Sequence, residues 1–258
     1  MNKRVEEFLP KYTEIVQNCE NHMFASVDTE LKRQSMRNLT GLARREWRLR
    51  LEVIRAGDEN AANQMLSLQC LTNALRYELK MWIEMDNEQY GTAWDALIDA
   101  QRSAESARSA HEMSHACNVN ECLSKLEAYE AFLFPPQQFN SPAIFVEKWK
   151  CTLCDADYSA CDHIAGEPYC GFFCQREPVN ILDVREMSLV DDPKDKKARV
   201  YEVILDEDTA RNQLTWATRD LTEEEREEYW NDSESEIGIK SIAITADDVD
   251  PHFEDYFP

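Results

Sequence analysis

Residues 151–174 read CTLCDADYSACDHIAGEPYCGFFC. This stretch holds five of the nine cysteines of the chain and one histidine. Two thiolates separated by two residues, as in Cys151-x-x-Cys154, can reach one tetrahedral Zn²⁺ at about 2.3 Å from a single turn, and an imidazole binds the same ion. We therefore predict a metal site that cross-links the middle of the chain.

Five side chains compete for the four positions around the predicted ion. The four that lie nearest one another in the sequence are Cys151, Cys154, Cys161 and His163. Cys174 is a credible substitute for Cys161 or His163, and Cys170 has the weakest claim. Because four soft ligands in one short loop leave no open coordination position, they favour a structural Zn²⁺ over a catalytic one. The alternative is a set of free thiols beside a surface histidine.

Composition and the N-terminal sequence indicate a cytoplasmic protein. The chain has 258 residues, of which 43% are hydrophobic, yet no window approaches 18 uninterrupted apolar residues, so we expect no transmembrane helix. The first residues, MNKRVEEFLPKYTEIVQ, are charged and lack the apolar region of a secretory signal. In a reducing compartment, clustered cysteines bind metal more often than they form disulfides, and scattered ones are buried thiols. Four cysteines are predicted to be such core thiols: Cys19, Cys70, Cys117 and Cys122.

The chain is strongly acidic, with a formal net charge of −22 at pH 7. This charge argues against broad binding to nucleic acid or to an anionic membrane, so we expect a protein partner. Residues 1–134 have 16 basic and 21 acidic residues, whereas residues 135–258 have 12 and 29. The asymmetry predicts two domains that divide at residue 134. The sequence indicates no particular oligomeric state.

Residues 1–134 have the pattern of a helical bundle. Apolar residues between Leu66 and Trp82 recur mostly at steps of three and four, which is the period of one helix face. Only one proline, Pro10, occurs before Pro135. Turn and N-cap residues predict breaks near Asp28, Gly57-Asp58, 87–91 and 118–120. We therefore expect about five helices in an antiparallel bundle with short loops.

The second half of the chain is predicted to be a small α+β module that zinc stabilises, so the fold as a whole is mainly α. The Pro135-Pro136 pair ends the last helix of the bundle, because proline lacks the N–H group that a helix needs. Residues 184–190 and 198–205 are strand candidates. Thr222 and Glu225 have the spacing of a capping box at the start of a helix.

The cysteine segment resembles a segment of uncharacterised bacterial and phage-associated proteins. The shared features are Cys151-x-x-Cys154, Cys161-x-His163, Gly166, Tyr169-x-Gly171 and Cys174, followed by Glu186-Met187-Ser188-Leu189-Val190-Asp191-x-Pro193. The resemblance covers residues 151–193 and implies zinc binding, with Cys174 favoured over Cys170 as a ligand. It implies no activity.

Residues 186–193 are also similar to the EVSLV-x-x-P tail of tailed-phage head maturation proteases. Those enzymes are serine proteases with a histidine partner, so the resemblance implies Ser188 as a nucleophile. The chain has no nucleophile elbow such as G-x-S-x-G. The alternative interpretation is that residues 186–190 form a half-buried strand.

The five residues His111-Glu112-Met113-Ser114-His115 match the H-E-x-x-H motif of the zinc metalloproteases known as zincins. On a helix this spacing puts two imidazoles on one face for Zn²⁺, with the glutamate as general base for a bound water. The resemblance implies a third ligand from the next predicted helix, where the candidates are Glu127 and Glu130, with Glu121 less well placed. The flanking residues are small and polar, unlike the bulky apolar neighbours usual in zincins. The alternative is a solvated helix face.

Six residues separate Arg108 from His115, a spacing found in the HEPN ribonucleases. Resemblance to this all-α family implies that the arginine stabilises phosphate charge and that the histidine assists proton transfer. Ser109 follows the arginine, where those enzymes usually carry Asn, Asp or His. The alternative is again a solvated helix face, here with an Arg–Glu pair.

Eight basic residues lie between Lys32 and Arg55, against two acidic ones. Four of them can line one helix face: Arg33, Arg37, Arg44 and Arg48. Such a face could bind a phosphate backbone, an acidic partner, or the acidic tail of this chain, which has 18 acidic and 4 basic residues from Glu202 onward. The net charge favours the last two, and a solvated face is the remaining alternative.

These patterns predict a zinc-stabilised interaction or regulatory protein, with the role of an accessory subunit in a bacterial or phage-related system. That context rests on resemblance alone. The alternative is a zinc-dependent hydrolase that uses His111, Glu112 and His115, or a ribonuclease that uses Arg108 and His115.

Overall fold

The computed structural model describes residues 2–24, 26–232 and 239–241. The first half of the described chain consists of long helices joined by short loops. They are α1 (Lys3–Glu20), α2 (Thr29–Arg55), α3 (Glu59–Asp86), α4 (Tyr90–Ala110), α5 (Met113–Ala116) and α6 (Val119–Leu133). Four of the five loops fall at the predicted breaks, so the predicted helical character of this half is confirmed.

Local capping explains where the long helices begin. The Asp28 side chain accepts a hydrogen bond from the N–H of Glu30 at 2.8 Å and caps α2. The Asp58 side chain accepts one from the N–H of Ala61 at 3.0 Å and caps α3. Each bond satisfies one of the N–H groups that a helix start leaves without a partner. The break between α4 and α5, at residues 111–112, was not predicted.

Helix α3 is the centre of the bundle. Eighteen of its 28 side chains are buried, because both α2 and α4 pack against it. Helix α4 presents a row of small buried residues that lets neighbouring helices approach closely. The row consists of Ala93, Ala96, Ala100, Ala104, Ala107 and Ala110. Among the described helices, none is both long enough and apolar enough to cross a membrane.

The strands of the second half form three separate antiparallel sheets. The longest strands, β1 (Phe139–Cys151) and β4 (Arg176–Val190), pair as a two-stranded ribbon. Between them in the sequence lies the cysteine segment, which contains a small hairpin of β2 (Pro168–Tyr169) and β3 (Phe172–Phe173). The ribbon therefore brings the two ends of the cysteine segment together.

A four-stranded sheet follows the ribbon. Its strands are β5 (Val200–Ile204), β6 (Thr209–Asn212), β7 (Thr218–Asp220) and β8 (Ile239–Ser241), in the spatial order β7-β6-β5-β8. Helix α7 (Glu223–Asp232) precedes β8. The predicted capping box is confirmed, because the N–H of Thr222 donates to the Glu225 carboxylate at 2.9 Å and the N–H of Glu225 donates to Thr222 Oγ1 at 3.2 Å.

The predicted strands are present, and the first of them is longer than predicted. Residues 184–190 are the end of β4, and residues 198–205 contain β5. Sequence periodicity missed the first half of β4 because its alternation is broken by two irregularities in the pairing with β1. Of the acidic tail, which begins at Glu202, residues 202–232 and 239–241 are described, and the rest lies outside the described residues.

The change from helix to strand falls near residue 134, as predicted, but the two halves share one apolar core. Phe134, Phe139 and Leu214 belong to the same buried cluster as the residues of α3 and α4. The ring of Trp94 contacts both phenylalanines, with centroid separations of 5.3 and 6.2 Å. The second half is therefore packed against the bundle.

Ion pairs also join the halves, through the loop between β4 and β5. Lys196 pairs with Glu130 of α6 at 2.8 Å, and Lys197 pairs with Asp99 of α4 at 2.6 Å. The indole N–H of Trp94 donates to the Lys196 carbonyl at 3.0 Å. These bonds fix the loop across α4 and α6 and so position the first strand of the four-stranded sheet.

Candidate metal centre

Four of the predicted ligands meet at one end of the ribbon. Cys151 is the last residue of β1, and Cys154 lies in the turn that follows it. A single 3-10 turn (Tyr158–Ala160) leads directly to Cys161, and His163 lies two residues later. The ligand atoms of all four residues lie within 4.8 Å of one another. The predicted cluster is therefore present in a form that could hold a metal ion.

The separations within the cluster are close to those around a tetrahedral ion. Cys151 Sγ lies 3.7 Å from His163 Nδ1, and Cys154 Sγ lies 3.4 Å from Cys161 Sγ. Cys161 Sγ lies 3.1 Å from His163 Nδ1. With metal–sulfur bonds of about 2.3 Å, tetrahedral ligands lie roughly 3.8 Å apart. These three pairs lie at or somewhat inside this spacing, and the remaining pairs lie within 4.8 Å, so the donors would have to shift by less than about 1 Å to enclose an ion.

Cys174 is a fifth donor beside this group, and Cys170 is not part of it. Cys174 follows β3, and its Sγ lies 3.7 Å from Cys151 Sγ, with both residues fully buried. Cys170 is exposed, and its backbone N–H donates to the Glu59 carboxylate of α3 at 3.1 Å. This arrangement agrees with the ranking of Cys174 above Cys170, and it leaves open which four of the five donors bind an ion.

Hydrogen bonds within residues 151–175 fold the loop that carries the donors. The N–H of Thr152 donates to the Gln175 carbonyl at 3.1 Å, and the N–H of Gln175 donates to Thr152 Oγ1 at 2.9 Å. Because these residues are next to Cys151 and Cys174, the bonds hold the two thiols side by side. Asp157 Oδ1 accepts from the N–H of Ser159 at 2.9 Å and so shapes the 3-10 turn before Cys161.

Backbone N–H groups point at two of the sulfur atoms. The N–H of Leu153 lies 3.4 Å from Cys151 Sγ, and the N–H of His163 lies 3.3 Å from Cys161 Sγ. Burial raises the pKa of Cys151, but the donors from Leu153 and Cys154 outweigh burial and bring it to about 6. Burial and the neighbouring thiols raise the pKa of Cys161 to about 11 and that of Cys174 to about 12. Without a cation, one thiolate therefore opposes the ionisation of its neighbours.

The hairpin of the cysteine segment rests on the helical bundle. The N–H of Gly171 donates to Asn63 Oδ1 of α3 at 2.7 Å. Gly171 has φ = +84°, and a Cβ there would lie 3.2 Å from both Ala62 Cβ and Ile54 Cδ1. Only glycine adopts this backbone and permits this approach without strain. The cysteine segment is thus in direct contact with α2 and α3.

Arg50 supports the same contact, and the sequence analysis missed this role. Its guanidinium lies 4.5 Å from the Trp47 ring and 5.4 Å from the Phe172 ring of β3. Arg50 is completely buried, although it belongs to the basic run that suggested a surface. The proximity of Trp47 to Arg50 in the sequence was the only available signal, since Phe172 arrives from a distant part of the chain.

The remaining basic residues of α2 follow the prediction more closely. The four predicted to line one face are all exposed: Arg33, Arg37, Arg44 and Arg48. Arg37 pairs with Glu30 of the same helix at 2.8 Å. Lys32 is buried and pairs with Asp86 at 2.8 Å. The described part of the chain does not test which partner, if any, this face binds.

The H-E-x-x-H residues do not share one helix, so the geometry expected for them is wrong. His111 has extended backbone (φ −167°, ψ 144°) at the end of α4, and His115 lies on the four-residue α5. The Nδ1 atom of His111 accepts from the N–H of Met113 at 2.9 Å, and Nε2 lies 3.1 Å from Asn60 Oδ1. Helix α4 therefore ends just before His111, and the imidazole of His111 bonds to the first residue of α5.

The other predicted catalytic side chains are also not assembled into a site. Arg108, Glu112 and His115 are exposed, and a helix end separates Arg108 from His115. Burial lowers the pKa of His111, and the charge of Glu112 opposes this shift. Glu130, a proposed third ligand, pairs instead with Lys196. The hydrolase and ribonuclease activities stay predictions, without the shared helix face on which they were based.

Three other proposed residues are exposed. Glu127 is exposed on α6, as is Glu121, the weaker candidate for a third ligand. Ser188 is exposed on β4, opposite Ser141 of β1, so residues 186–190 lie in a strand as the alternative predicted, but Met187 and Leu189 are too exposed for a half-buried one.

Within the described residues, the cysteine–histidine cluster is the arrangement with the chemistry of a metal site. Its donors are soft, close together and anchored by both the ribbon and the bundle. No protein-family model, no curated protein and no solved structure matches this chain.

Proposed function

We propose that residues 151–174 bind one structural Zn²⁺ and that the ribbon extending from this site binds another protein. Zinc fits the donor set, because thiolates and imidazole are its preferred ligands in tetrahedral sites. Four of the five donors, Cys151, Cys154, Cys161, His163 and Cys174, would complete the coordination and leave no position for a substrate. The role of the ion would therefore be to hold the loop, the base of the ribbon and the contact with the bundle in place.

The single observation that carries the interaction role is an uncovered apolar face on the ribbon. Residues directly opposite in an antiparallel pair share a face, and residues alternate between faces along a strand. By this rule, one face of the ribbon is apolar in its middle, and its polar members lie toward the two ends: Asn140, Lys148, Lys150 and Glu177. We call the apolar part of this face the apolar ribbon face, and it consists of Pro142, Ile144, Val146, Val179, Ile181, Val184, Met187 and Leu189.

Several residues of the apolar ribbon face are as exposed as surface polar residues. Val184 is 47% exposed, Met187 is 55% exposed and Leu189 is 51% exposed. A two-stranded ribbon is at best marginally stable in water unless a further strand or another surface packs on it. Contiguous exposed apolar residues of this kind mark interaction sites on soluble proteins. These facts support a partner whose own surface covers the face.

Charge favours a different protein over a second copy of this chain. The two strands of the ribbon, Phe139–Cys151 and Arg176–Val190, contain four basic and four acidic residues, so the ribbon is neutral. The whole chain carries −22, and two copies brought together would repel each other. We therefore propose a heterologous partner with an apolar surface, which agrees with an accessory or regulatory role.

Metal content tests the first part of the proposal. Native mass spectrometry of the reduced protein should find one zinc per chain. Cys151→Ser and Cys154→Ser should each lose most of it, whereas Cys170→Ser, in the same loop, should retain it. Comparison of His163→Ala with Cys174→Ser would identify the fourth ligand. A reduced protein without transition metal, or a Cys170→Ser variant as depleted as Cys151→Ser, would rule the site out.

Site-specific photo-crosslinking tests the second part. A benzophenone amino acid at position 184 would lie on the apolar ribbon face, and one at position 188 would lie on the opposite face of the same strand. We expect one discrete heterologous adduct in cells from position 184 and none from position 188. The adduct should weaken when Val146→Lys is added. Equal labelling from both positions, or an adduct with the mass of two chains, would contradict the proposal, as would an intramolecular product that disappears when residues 242–258 are deleted.

A further inference from the structure

A cleft of about 520 Å³ lies between the start of α4 and the four-stranded sheet. One wall comes from the loop between α3 and α4 and from the first turn of α4. The other comes from β5, β6 and the residues that follow β6. None of its described lining residues belongs to the metal centre or to the ribbon. The cleft is therefore independent of the function proposed above.

The first turn of α4 offers N–H groups to this cleft. The first N–H groups of a helix have no acceptor within it, and they form the positive end of the helix dipole. In α1, α2 and α3 the N-cap side chain accepts one of these hydrogens, and an acidic residue lies in the first turn. In α4 the N-cap residue Gln89 makes no such bond, and the first turn has no acidic residue. The start of α4 therefore has N–H donors without a side-chain acceptor and no acidic residue in its first turn, and both features favour a bound anion.

Arg199 adds a full positive charge at the same place. It is only 4% exposed, and its Nε and Nη1 atoms have no hydrogen-bond partner among the described residues. A Cβ at Gly91 would lie 3.4 Å from Arg199 Nη2, so the guanidinium stands against the first turn of α4. Asp95 is close enough to favour the charged form of Arg199, whose pKa burial lowers. The carboxylate of Asp95 therefore offsets part of the cost of burying this charge and leaves Nε and Nη1 free to donate.

The backbone of Arg199 is fixed by the residues on either side of it. The N–H of Asn140 donates to the Ala198 carbonyl at 2.7 Å, and the N–H of Val200 donates to the Gln138 carbonyl at 2.8 Å. A buried guanidinium with unused donors is costly, and its position against a helix N-terminus adds repulsion. An anion between the two would satisfy both sets of donors at once.

We propose that this cleft binds the phosphate group of a small phosphorylated molecule, held between the guanidinium of Arg199 and the amides of the first turn of α4. Helix N-termini and arginine are the donors that proteins use most readily for phosphate. Asn212 and Thr92 line the cleft and can add an amide and a hydroxyl donor. Asn212 Oδ1 accepts from the N–H of Leu214 at 2.9 Å, which leaves its amide nitrogen to donate to a ligand. The cleft is larger than one phosphate, so the rest of the molecule has room.

Substitution of Glu88 should change the affinity for phosphate in a predictable direction. Glu88 is the one carboxylate among the described lining residues, and it would repel a phosphate. Glu88→Gln should therefore tighten phosphate binding, and Arg199→Met should weaken it by about tenfold or more. Arg37→Met removes the same charge from an exposed ion pair on α2 and serves as the matched control. Calorimetric titration of the full chain with inorganic phosphate, at constant ionic strength, measures all four proteins.

Thermal melting with and without phosphate separates a loss of phosphate binding from a loss of stability. Arg199→Met removes a buried charge with unused donors but also takes a cation from Asp95, so its melting temperature without phosphate is measured first and each variant is judged by the shift that phosphate causes. Phosphate should raise the melting temperature of wild type and of Arg37→Met but not that of Arg199→Met. Absence of phosphate binding to wild type would overturn the proposal. Unchanged binding in both Arg199→Met and Glu88→Gln would also overturn it, as would equal binding of acetate, which would indicate a carboxylate site.

Discussion

The helical bundle and the cysteine segment are held together by different forces. Helix α3 alone buries eighteen side chains, whereas residues 151–174 bury only Cys151, Gly171 and Cys174. A segment of this size cannot bury enough apolar surface to fix its own structure. Coordination of a metal ion can supply the missing free energy, because the binding energy of a structural ion becomes folding energy. The proposed ion would therefore do for the cysteine segment what the buried core does for the bundle.

Truncation of matched leucines should reveal this difference most strongly. Leu97 of α4 is fully buried, whereas Leu182 of β4 is 65% exposed. Leu97→Ala should lower the free energy of unfolding of the protein by about 2–5 kcal/mol, because it leaves a cavity in the bundle. Leu182→Ala should change it by less than about 0.5 kcal/mol. Urea denaturation followed by circular dichroism measures both free energies of unfolding. Similar losses in the two variants would mean that Leu182 is buried in the protein even without a partner.

The pH dependence of stability should separate the two regions next. Burial raises the pKa of Glu46, in the bundle, to about 8, although Thr72 Oγ1 donates to its carboxylate at 2.7 Å and Arg50 lies near. Between its ordinary pKa of 4.5 and about 8, the unfolded chain loses a proton that the folded chain keeps. The contribution of Glu46 to stability therefore falls as pH rises through this window and is constant above it. A metal loop should behave in the opposite way, because acid protonates its ligands.

Replacement of Glu46 tests this dependence. Glu46→Gln is neutral at every pH and keeps an oxygen that can accept from Thr72. Relative to wild type, it should be more stable at pH 8 by on the order of 3 kcal/mol and nearly equal to wild type at pH 4.5. Glu52→Gln removes a carboxylate from the exposed side of the same helix and serves as the matched control. A difference between Glu46→Gln and wild type that does not grow from pH 5 to pH 8 would mean that Glu46 is ionised in the folded protein.

The contact between the two regions depends on one glycine. Gly171 and Gly166 both have positive φ, at +84° and +90°, but of these two only Gly171 has neighbouring atoms within 4 Å of the place that a Cβ would occupy. Gly166→Ala should cost about 1 kcal/mol from backbone strain alone. Gly171→Ala adds a collision with Ala62 and Ile54 and should cost about 2–3 kcal/mol. Equal losses of stability in the two variants, measured by urea denaturation, would show that the hairpin moves away from α2 and α3 without cost.

The parts of the fold that sequence reasoning predicted are those with local causes. Asp28 and Asp58 cap the helices that follow them by bonds that span two or three residues. Thr222 and Glu225 do the same for α7. The cluster of Cys151, Cys154, Cys161 and His163 was predicted because these residues are already near one another in the sequence. In each case a short stretch contains all the groups that interact.

The parts that were missed depend on contacts between distant residues. The helix pattern continues through His111, but Asn60 of α3 and the N–H of Met113 bind its imidazole and the helix ends there. Arg50 belongs to the basic run of α2 and was given no packing role, yet Phe172, 122 positions away in the sequence, covers it. The unpaired donors of Arg199 become visible only when the start of α4 lies beside the sheet. No local pattern records any of these contacts.

Two capping aspartates provide the smallest and most specific test of the comparison. Asp58 caps α3 in the bundle, and Asp157 shapes the turn that leads to Cys161. Asp58→Ala should lower the free energy of unfolding by about 1 kcal/mol, because a helix N–H loses its acceptor, and it should leave the metal content unchanged. Asp157→Ala should leave the stability of the bundle unchanged and should speed the release of metal to a chelator, because the turn no longer holds Cys161 beside its neighbours.

Urea denaturation and the rate of zinc transfer to a chromogenic chelator measure the two effects on the same samples. If the regions are stabilised as argued, each variant changes one measurement and not the other. A loss of global stability in Asp157→Ala equal to that in Asp58→Ala would mean that the loop and the bundle unfold as one unit. The metal would then stabilise the bundle as well. The two regions would differ in amino-acid composition but not in what stabilises them.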